Sequence, residues 1–372
     1  MTTAFPLLRL PYLVLMPVLE QMEFMERISL SIISKRARMF VKLLKMKCKH
    51  INLTLTGNKI EMRVFFDNSK ELTLDMYVNG HTRISLNYYY YIAWWPGPLS
   101  PMDYVFPIME VTHCKSIKQL TLARVSGYGT TIPLLAKLLK IDEVIVEDTT
   151  SYSFSPESPL QNVLKIVLPV SSAVTISAYA DRTYLREIFK GNFESVTLKN
   201  YWGEIMPNFD MKLSLNDLRM TNVKSLELPC TVFKVKKLNR YFKLWMKKKC
   251  NDRLEYLRVT TGRWVNIKIK PLLKGLNAVQ IPIRTDKTFR SLGNIKQFNS
   301  EDSNEEITKE FDITRADGRQ ATIRISDYGT ISFYVWPKST NKTTNLELNQ
   351  SSFTRKFSRI SNFYNSCIER FK

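Results

Sequence analysis

The side chains able to do chemistry are sparse. Only three histidines occur in 372 residues. Cysteine and histidine come close twice, at Cys48-Lys49-His50 and at His113-Cys114. Thiolate and imidazole are natural zinc ligands, but a tetrahedral site needs four donors at paired spacings, which neither cluster supplies. A cysteine served by a distant histidine could be a nucleophile, yet nothing in the sequence singles one out. No phosphate-binding P-loop, Gly-x-Ser-x-Gly elbow or His-Glu-x-x-His pattern is present, and Gly127-Tyr128-Gly129 is too short for a dinucleotide loop. The sequence therefore predicts no catalytic residue, no metal site and no cofactor. Packing is the role expected of these cysteines and histidines.

The informative stretch is instead apolar. Between Leu7 and Leu19 the only charged side chain is Arg9, so a helix from Tyr12 to Met22 is apolar on every face. Such a helix belongs in a large core or a membrane. This one is too short for a span, which takes about 20 residues, and Glu20, Glu23 and Glu26 follow at once. A second amphipathic pattern (Ile28, Leu30, Ile32, Ile33) leads into Ser34-Lys35-Arg36. A module of about 40 residues cannot bury that much apolar surface alone. The expectation is that part of it is covered by another protein.

Phe5-Pro6-Leu7-Leu8-Arg9-Leu10-Pro11, the apolar helix and Ile33-Ser34-Lys35-Arg36 together resemble an F-box. Tyr12-Leu13, Glu23-Phe24 and Ala37 depart from the family pattern, and Pro17 sits inside the helix, where it removes a donor and kinks the chain. The resemblance implies docking on the Skp-type adaptor of a cullin-RING (SCF-type) ubiquitin ligase. The positions it marks for adaptor contact are Leu10, Pro11, Leu15, Val18, Leu19, Ile33 and Ser34.

Hydrophobic residues make up 44% of the chain, enough for a sizeable core. The net charge is +21, concentrated in two acid-free segments, Glu26 to Glu61 and Glu227 to Asp252. Basic surface favours acidic partners of any class, protein, nucleic acid or anionic membrane. Five widely spaced cysteines predict a reducing, intracellular setting. Leu10 to Leu19 lacks the basic flank and small-residue cleavage site of a signal peptide.

After the basic run the periodicity becomes two. Runs at 60–66, 72–78 and 84–88, parted by Asp67-Asn68-Ser69 and Asn79-Gly80, read as an antiparallel meander. An aromatic cluster spans 88–95. From 117 strand cores recur at Leu120/Leu122, Val144/Val146, Val174/Ile176, Val196/Leu198, Leu226/Leu228 and Leu257/Val259, with helical patterns between most of them. The clearest helix is Val235, Leu238, Phe242, Trp245, with lysines outward. A strand and helix repeating every 20–30 residues describes an irregular leucine-rich-repeat-like solenoid. Asp317-Gly318 and Tyr328-Gly329 read as hairpin turns, and 353–371 as a closing helix.

Leu215-Asn216-Asp217-Leu218, Lys237 through Trp245, Arg253-Leu254-Glu255-Tyr256-Leu257 and the tail from Phe311 to Ile323 are similar to the type 2 F-box-associated domain of nematode F-box proteins. This implies a non-catalytic substrate receptor. The expected organisation is α/β: an N-terminal helical F-box module at 1–50, a meander at 51–110, a leucine-rich-repeat-like F-box-associated region at 111–300, and a C-terminal β-hairpin and tail at 301–372. In a solenoid the outward strand positions Thr121, Ile145, Thr175, Thr197, Glu227 and Arg258 would meet a target protein, with Thr197 and Arg258 as the chosen contacts. The alternative is a basic nucleic-acid-binding protein using its lysines with the aromatics at 88–95 for stacking. Neither basic segment interleaves aromatics regularly, and no known nucleic-acid motif is visible.

Overall fold

The computed structural model describes residues 7–57, 59–67, 69–77, 82–86, 90–94, 99–123, 131–147, 159–176, 182–199, 213–228, 233–260, 267–284 and 306–337. The chain divides into two units, Met1–Trp336 and Pro337–Lys372. The first is described here. The Asn79-Gly80 turn, the Gly127 segment and the closing helix expected at 353–371 lie outside the described residues, as does part of the 88–95 cluster.

Three helices come first: α1 (Tyr12–Gln21), α2 (Phe24–Ile33) and α3 (Lys35–Leu43). Then follow β1 (Cys48–Thr56), the meander β2 (Lys59–Phe66), β3 (Glu71–Tyr77), β4 (Thr82–Leu86) and β5 (Tyr90–Trp94), and α4 (Pro101–Val111). From there strand and helix alternate: β6 (Ile117–Ala123), α5 (Ile132–Leu135), β7 (Ile141–Glu147), α6 (Pro159–Val167), β8 (Ser171–Ile176), α7 (Arg182–Lys190), β9 (Ser195–Leu198), α8 (Leu215–Arg219), β10 (Ser225–Leu228), α9 (Val235–Met246), β11 (Tyr256–Thr260), α10 (Ile269–Leu273). Four strands end the unit: β12 (Val279–Ile281), β13 (Ile307–Thr314), β14 (Gln320–Ser326) and β15 (Thr330–Val335). The expected hairpin turns join β13 to β14 and β14 to β15; Gly318 and Gly329 hold φ of 82° and 77°, which an L side chain resists.

Among the described residues all strands form one mixed sheet in the order β12-β13-β14-β15-β11-β10-β9-β8-β7-β6-β1-β2-β3-β4-β5. Strands β6 to β11 hold the six predicted strand cores and lie parallel in chain order. A doubly wound fold would reverse its strand order at a switch point; this run does not. Strand β1 was not anticipated. It carries Ile51, Leu53 and Leu55 inward and pairs in parallel with β6 and antiparallel with β2, so it welds the meander to the parallel run.

Register places one apolar residue from each of nine adjacent strands in a common row: Leu53, Leu120, Val144, Val174, Val196, Leu226, Leu257, Phe333 and Ile323. The helices pack their apolar stripes on this face. Trp245 of α9 is fully buried, edge-on to Phe333 (5.0 Å) in the cluster that also holds Phe242, with the Arg315 guanidinium 5.2 Å from the centroid of its ring. Arg315, itself fully buried, is held by Asp252 (2.5 Å) and Asp317 (2.8 Å). Trp245→Ala should therefore cost about 3–5 kcal/mol, whereas Lys247→Ala on the exposed end of the same helix should change stability by less than about 0.5 kcal/mol. Urea denaturation of the two variants against the parent checks both numbers.

Candidate partner-binding site

The helix α1 starts where Pro11 interrupts the preceding turn, its carbonyl accepting from the Leu15 amide (2.9 Å). Pro17 lies within it, and the helix continues to Gln21. Glu23 and Glu26 form a capping box that starts α2, the Glu26 carboxylate accepting from the Glu23 amide (2.8 Å). Ser34 starts α3, its hydroxyl accepting from the Ala37 amide (3.2 Å). Two arginines bind the turns together: Arg27 donates to the Met22 and Glu20 carbonyls (3.0 and 2.5 Å), and Arg38 to the Ser31 carbonyl (2.9 Å).

The apolar residues of this module divide into two sets. Leu15 and Leu19, one helical turn apart, are fully buried, so these two expected adaptor contacts are core instead. Their i, i+4 spacing is the inner stripe of α1. The outer side of the helix carries Tyr12, Leu13, Val14 and Val18, with Leu13 83% exposed. Ile33 is 68% and Met39 67% exposed, and Leu43 follows Met39 on the outer side of α3. The Tyr12 and Phe40 rings lie 6.2 Å apart, which brings the start of α1 to α3. Pro11 is exposed; Leu10 and Ser34 are half-buried. Large apolar side chains left in water at this density mark an interaction surface.

The module is not tethered to the sheet but fused with it. Met25, Ile28, Ile32, Val41 and Met46 share one core with Ile51, Leu53, Ile60 and Val64. Phe24 meets Phe66 edge-on at 4.5 Å. Glu110 of α4 pairs with Lys42 (3.3 Å) and Arg38 (3.8 Å), and His113 Nε2 donates to the Lys42 carbonyl (2.9 Å).

On the opposite face of the sheet, register aligns the six predicted outward positions in one row: Thr121, Ile145, Thr175, Thr197, Glu227 and Arg258. The row is less open than expected. Thr121, Ile145 and Arg258 are half-buried, but Thr175, Thr197 and Glu227 are buried, Thr197 to 4% exposure. Thr197 stands in register between Thr175 and Glu227, and Glu227 stands between Thr197 and Arg258. The Thr175 hydroxyl donates to Glu143 (2.8 Å). On the meander the same row continues as charges: Lys59 bonds Glu61 (2.8 Å) and Asp75 (2.9 Å), and Arg63 also bonds Glu61.

Cys48 and Cys114, read separately in the sequence, come together: the Cys48 thiol donates to the His50 carbonyl (3.5 Å) and the Cys114 thiol to the Ser116 carbonyl (3.2 Å). The two thiols act on each other, which draws Cys114 down to about 7 against its burial and pushes Cys48 up. Among the described residues no group of three or more His, Cys, Asp or Glu side chains could hold a metal ion. Among them, too, no helix is long and apolar enough to cross a membrane.

Residues 7–49 match the F-box domain family and residues 184–259 match the F-box associated family. The chain carries both domains. No curated protein and no solved structure matches it. The F-box match covers all three N-terminal helices with their exposed apolar side chains; the F-box associated match runs from within α7 to the end of β11.

The charged ladder gives the chain a defined pH response. Burial alone would raise the Glu61 carboxyl, but the bonds from Lys59 and Arg63 outweigh it and hold the carboxyl below its ordinary value. A lowered carboxyl contributes stability above its unfolded pKa, about 4.3, and loses it as pH falls through the folded value. Lys59 is raised, burial notwithstanding, by Glu61 and Asp75, so its share is complete below about pH 10 and is lost only as pH rises through the folded value. Acidification from about pH 6 to 3 should lower the parent's urea midpoint more than that of Glu61→Gln, in which this share of the proton linkage is absent. Equal falls in the two proteins would refute the assignment.

Proposed function

We propose that this chain is the substrate-recognition subunit of an SCF-type ubiquitin ligase. The observation that carries the reading is the coincidence of the F-box match with the exposed apolar side chains of residues 12–43. The surface docks on a Skp-type adaptor and through it on a cullin-RING ligase. Pro11, Val18 and Ile33 make contact directly, together with Leu13, Val14 and Tyr12. Leu10 and Ser34 lie at its margin, while Leu15 and Leu19 hold α1 in place from beneath. Transfer chemistry then belongs to other subunits, and this chain supplies proximity and orientation.

We read residues 1–50 as the F-box module, 51–110 as the meander, 111–300 as an irregular leucine-rich-repeat-like F-box-associated region, and 301–372 as the C-terminal hairpin and tail. The sequential parallel order of β6 to β11, with a helix after each, supports the repeat reading. Leu215 to Leu218 and Lys237 to Trp245 support the type 2 form known from nematode F-box proteins. A protein target is held by this region; on the strand face Arg258 is the contact, and buried Thr197 acts only by packing beside Glu227. The setting is intracellular.

The test separates surface from core. Leu13→Glu with Val18→Glu should abolish co-purification with a Skp-type adaptor while moving stability by no more than about 0.5 kcal/mol, as for other exposed positions. Leu15→Ala should instead cost about 2–5 kcal/mol and reduce adaptor capture only in proportion to unfolded protein. Full adaptor capture by the double variant, with Leu10→Ala/Pro11→Ala also undiminished, would sink the reading.

A further inference from the structure

Two cysteines meet at the joint between the N-terminal helices and the sheet. Cys48 opens β1, the strand that follows α3, and Cys114 lies in the connection between α4 and β6. Strands β1 and β6 are parallel neighbours, with Asn52 opposite Gln119, so their leading ends lie side by side. Each thiol donates to a carbonyl of its own segment, Cys48 to His50 (3.5 Å) and Cys114 to Ser116 (3.2 Å). Each also has neighbours across the joint. The Ile51 amide of β1 acts on the Cys114 thiol, and the Thr112 hydroxyl at the end of α4 acts on Cys48. Both residues are free and half-buried, at the margin of the core that the helices share with the sheet. Cys250, the third cysteine among the described residues, is instead buried, its thiol toward the Tyr241 carbonyl (3.9 Å).

Two adjacent thiols can do what packed apolar side chains cannot. Their contact splits their acidities: Cys114 is drawn down to about 7, chiefly by Cys48, and Cys48 is pushed up, chiefly by Cys114. At neutral pH about half of Cys114 is therefore thiolate, the form that attacks oxidants. Cys48 stays a thiol, and the hold on it relaxes once the Cys114 sulfur no longer carries the negative charge. A partly exposed thiolate beside a second thiol is the arrangement of redox-sensing cysteines, the role that disulfides take inside a reducing compartment. A structural zinc site would want four donors, and among the described residues no group of even three is present.

We propose that Cys48 and Cys114 form a reversible disulfide in response to peroxide, tying the connection after the F-box helices to the one after α4. The Cys114 thiolate attacks one oxygen of hydrogen peroxide and breaks the O–O bond. The departing hydroxide takes a proton and leaves as water, and Cys114, oxidised by two electrons, becomes a sulfenic acid. The Cys48 sulfur then attacks the Cys114 sulfur, its proton leaves with the sulfenic hydroxyl as a second water, and the S–S bond forms. Two thiols and one peroxide thus give one disulfide and two waters; two glutathione thiols, oxidised to their own disulfide, restore the pair. The bond closes a loop that holds β1 to β5 and α4, and it links Cys48, inside the F-box match, to Cys114 outside it. The His113 bond to the Lys42 carbonyl (2.9 Å) already crosses this joint without a covalent link. The chemistry is independent of the adaptor reading.

The reduced full-length chain, freed of reductant, is treated at neutral pH with a stoichiometric amount of hydrogen peroxide. It is then alkylated in denaturant, digested without reduction and read by mass spectrometry. A peptide joining Cys48 to Cys114 should appear, lighter by two hydrogens than the reduced pair and released by glutathione, while Cys250 remains alkylated. Cys48→Ser should leave Cys114 as a sulfenic acid that dimedone traps, and Cys114→Ser should leave Cys48 unoxidised at the same dose. From pH 7 to 8 the oxidation of Cys114 should quicken less than about twofold, against about eightfold for a thiol of ordinary pKa, about 8.5. The oxidised parent should keep or raise the urea midpoint of the reduced one. The absence of the linked peptide from the parent, a link found only between separate molecules, or dimedone trapped on Cys48 in place of Cys114 overturns the proposal. So does a urea midpoint lowered by oxidation, which assigns the bond to unfolded chains.

Discussion

Everything in the described unit hangs on the apolar face of one sheet. Because the strands are in register, Leu53, Leu120, Val144, Val174, Val196, Leu226, Leu257, Phe333 and Ile323 touch in sequence like a keel. Each is essentially removed from water, and burial of a large aliphatic or aromatic side chain is worth roughly 1.5–3 kcal/mol. No strand of four residues, such as β9 or β10, would persist without two neighbours and a helix layer. The consequence is directional. A defect in one strand is felt mainly by its neighbours, yet the row transmits alignment from one edge of the sheet to the other.

The F-box helices inherit that alignment. Their core residues are the same ones that cover β1 to β3, so the exposed apolar surface of the helices has a fixed attitude relative to those strands. Under the proposed role, this is the relevant mechanical property: an error of orientation costs effective concentration at the acceptor, whereas a tether would average over orientations. The surface pairs between Glu110 and Lys42 or Arg38 add little to this rigidity. Phe24 against Phe66 and Ile28 in the shared core supply it.

Much of this was legible from periodicity. Alternation over 60–86 and the spaced strand cores from Leu120 to Val259 depend on local pattern, and local pattern is what a sequence displays. Strand β1 escaped notice because its alternating Ile51, Leu53 and Leu55 sit inside an acid-free basic run, and its parallel partner β6 lies far along the chain. On α1 the apolar residues surround the helix, so periodicity could not say which of Leu15, Val18 and Leu19 faces inward; only the packing of α2 and α3 decides that. Thr197 is buried although alternation along its strand marks it as an outward position. Strand alternation gives the face of a side chain and is silent on how far its in-register neighbours overshadow it. A basic cleft left no local trace at all, since Arg186, Arg219 and Lys249 are brought together from α7, α8 and the residues after α9.

That last point bears on how a net charge of +21 should be understood. Summed over a chain, charge predicts only a long-range field, and a field steers any acidic partner alike. Order appears where the fold uses an acid to orient a cation. Buried Asp217 does this for Arg186, and the solvent-facing Asp317 and Asp252 do it for buried Arg315. The two outcomes differ in what closes over the guanidinium. Arg315 is sealed beneath the hairpin against Trp245 and its charge is consumed in holding β13 and β14 to α9. Arg186 is oriented by the same device but left open on one side, with Arg219 and Lys249 beside it. A guanidinium fixed by a buried carboxylate and still reaching water keeps its orientation, which a freely solvated basic side chain does not.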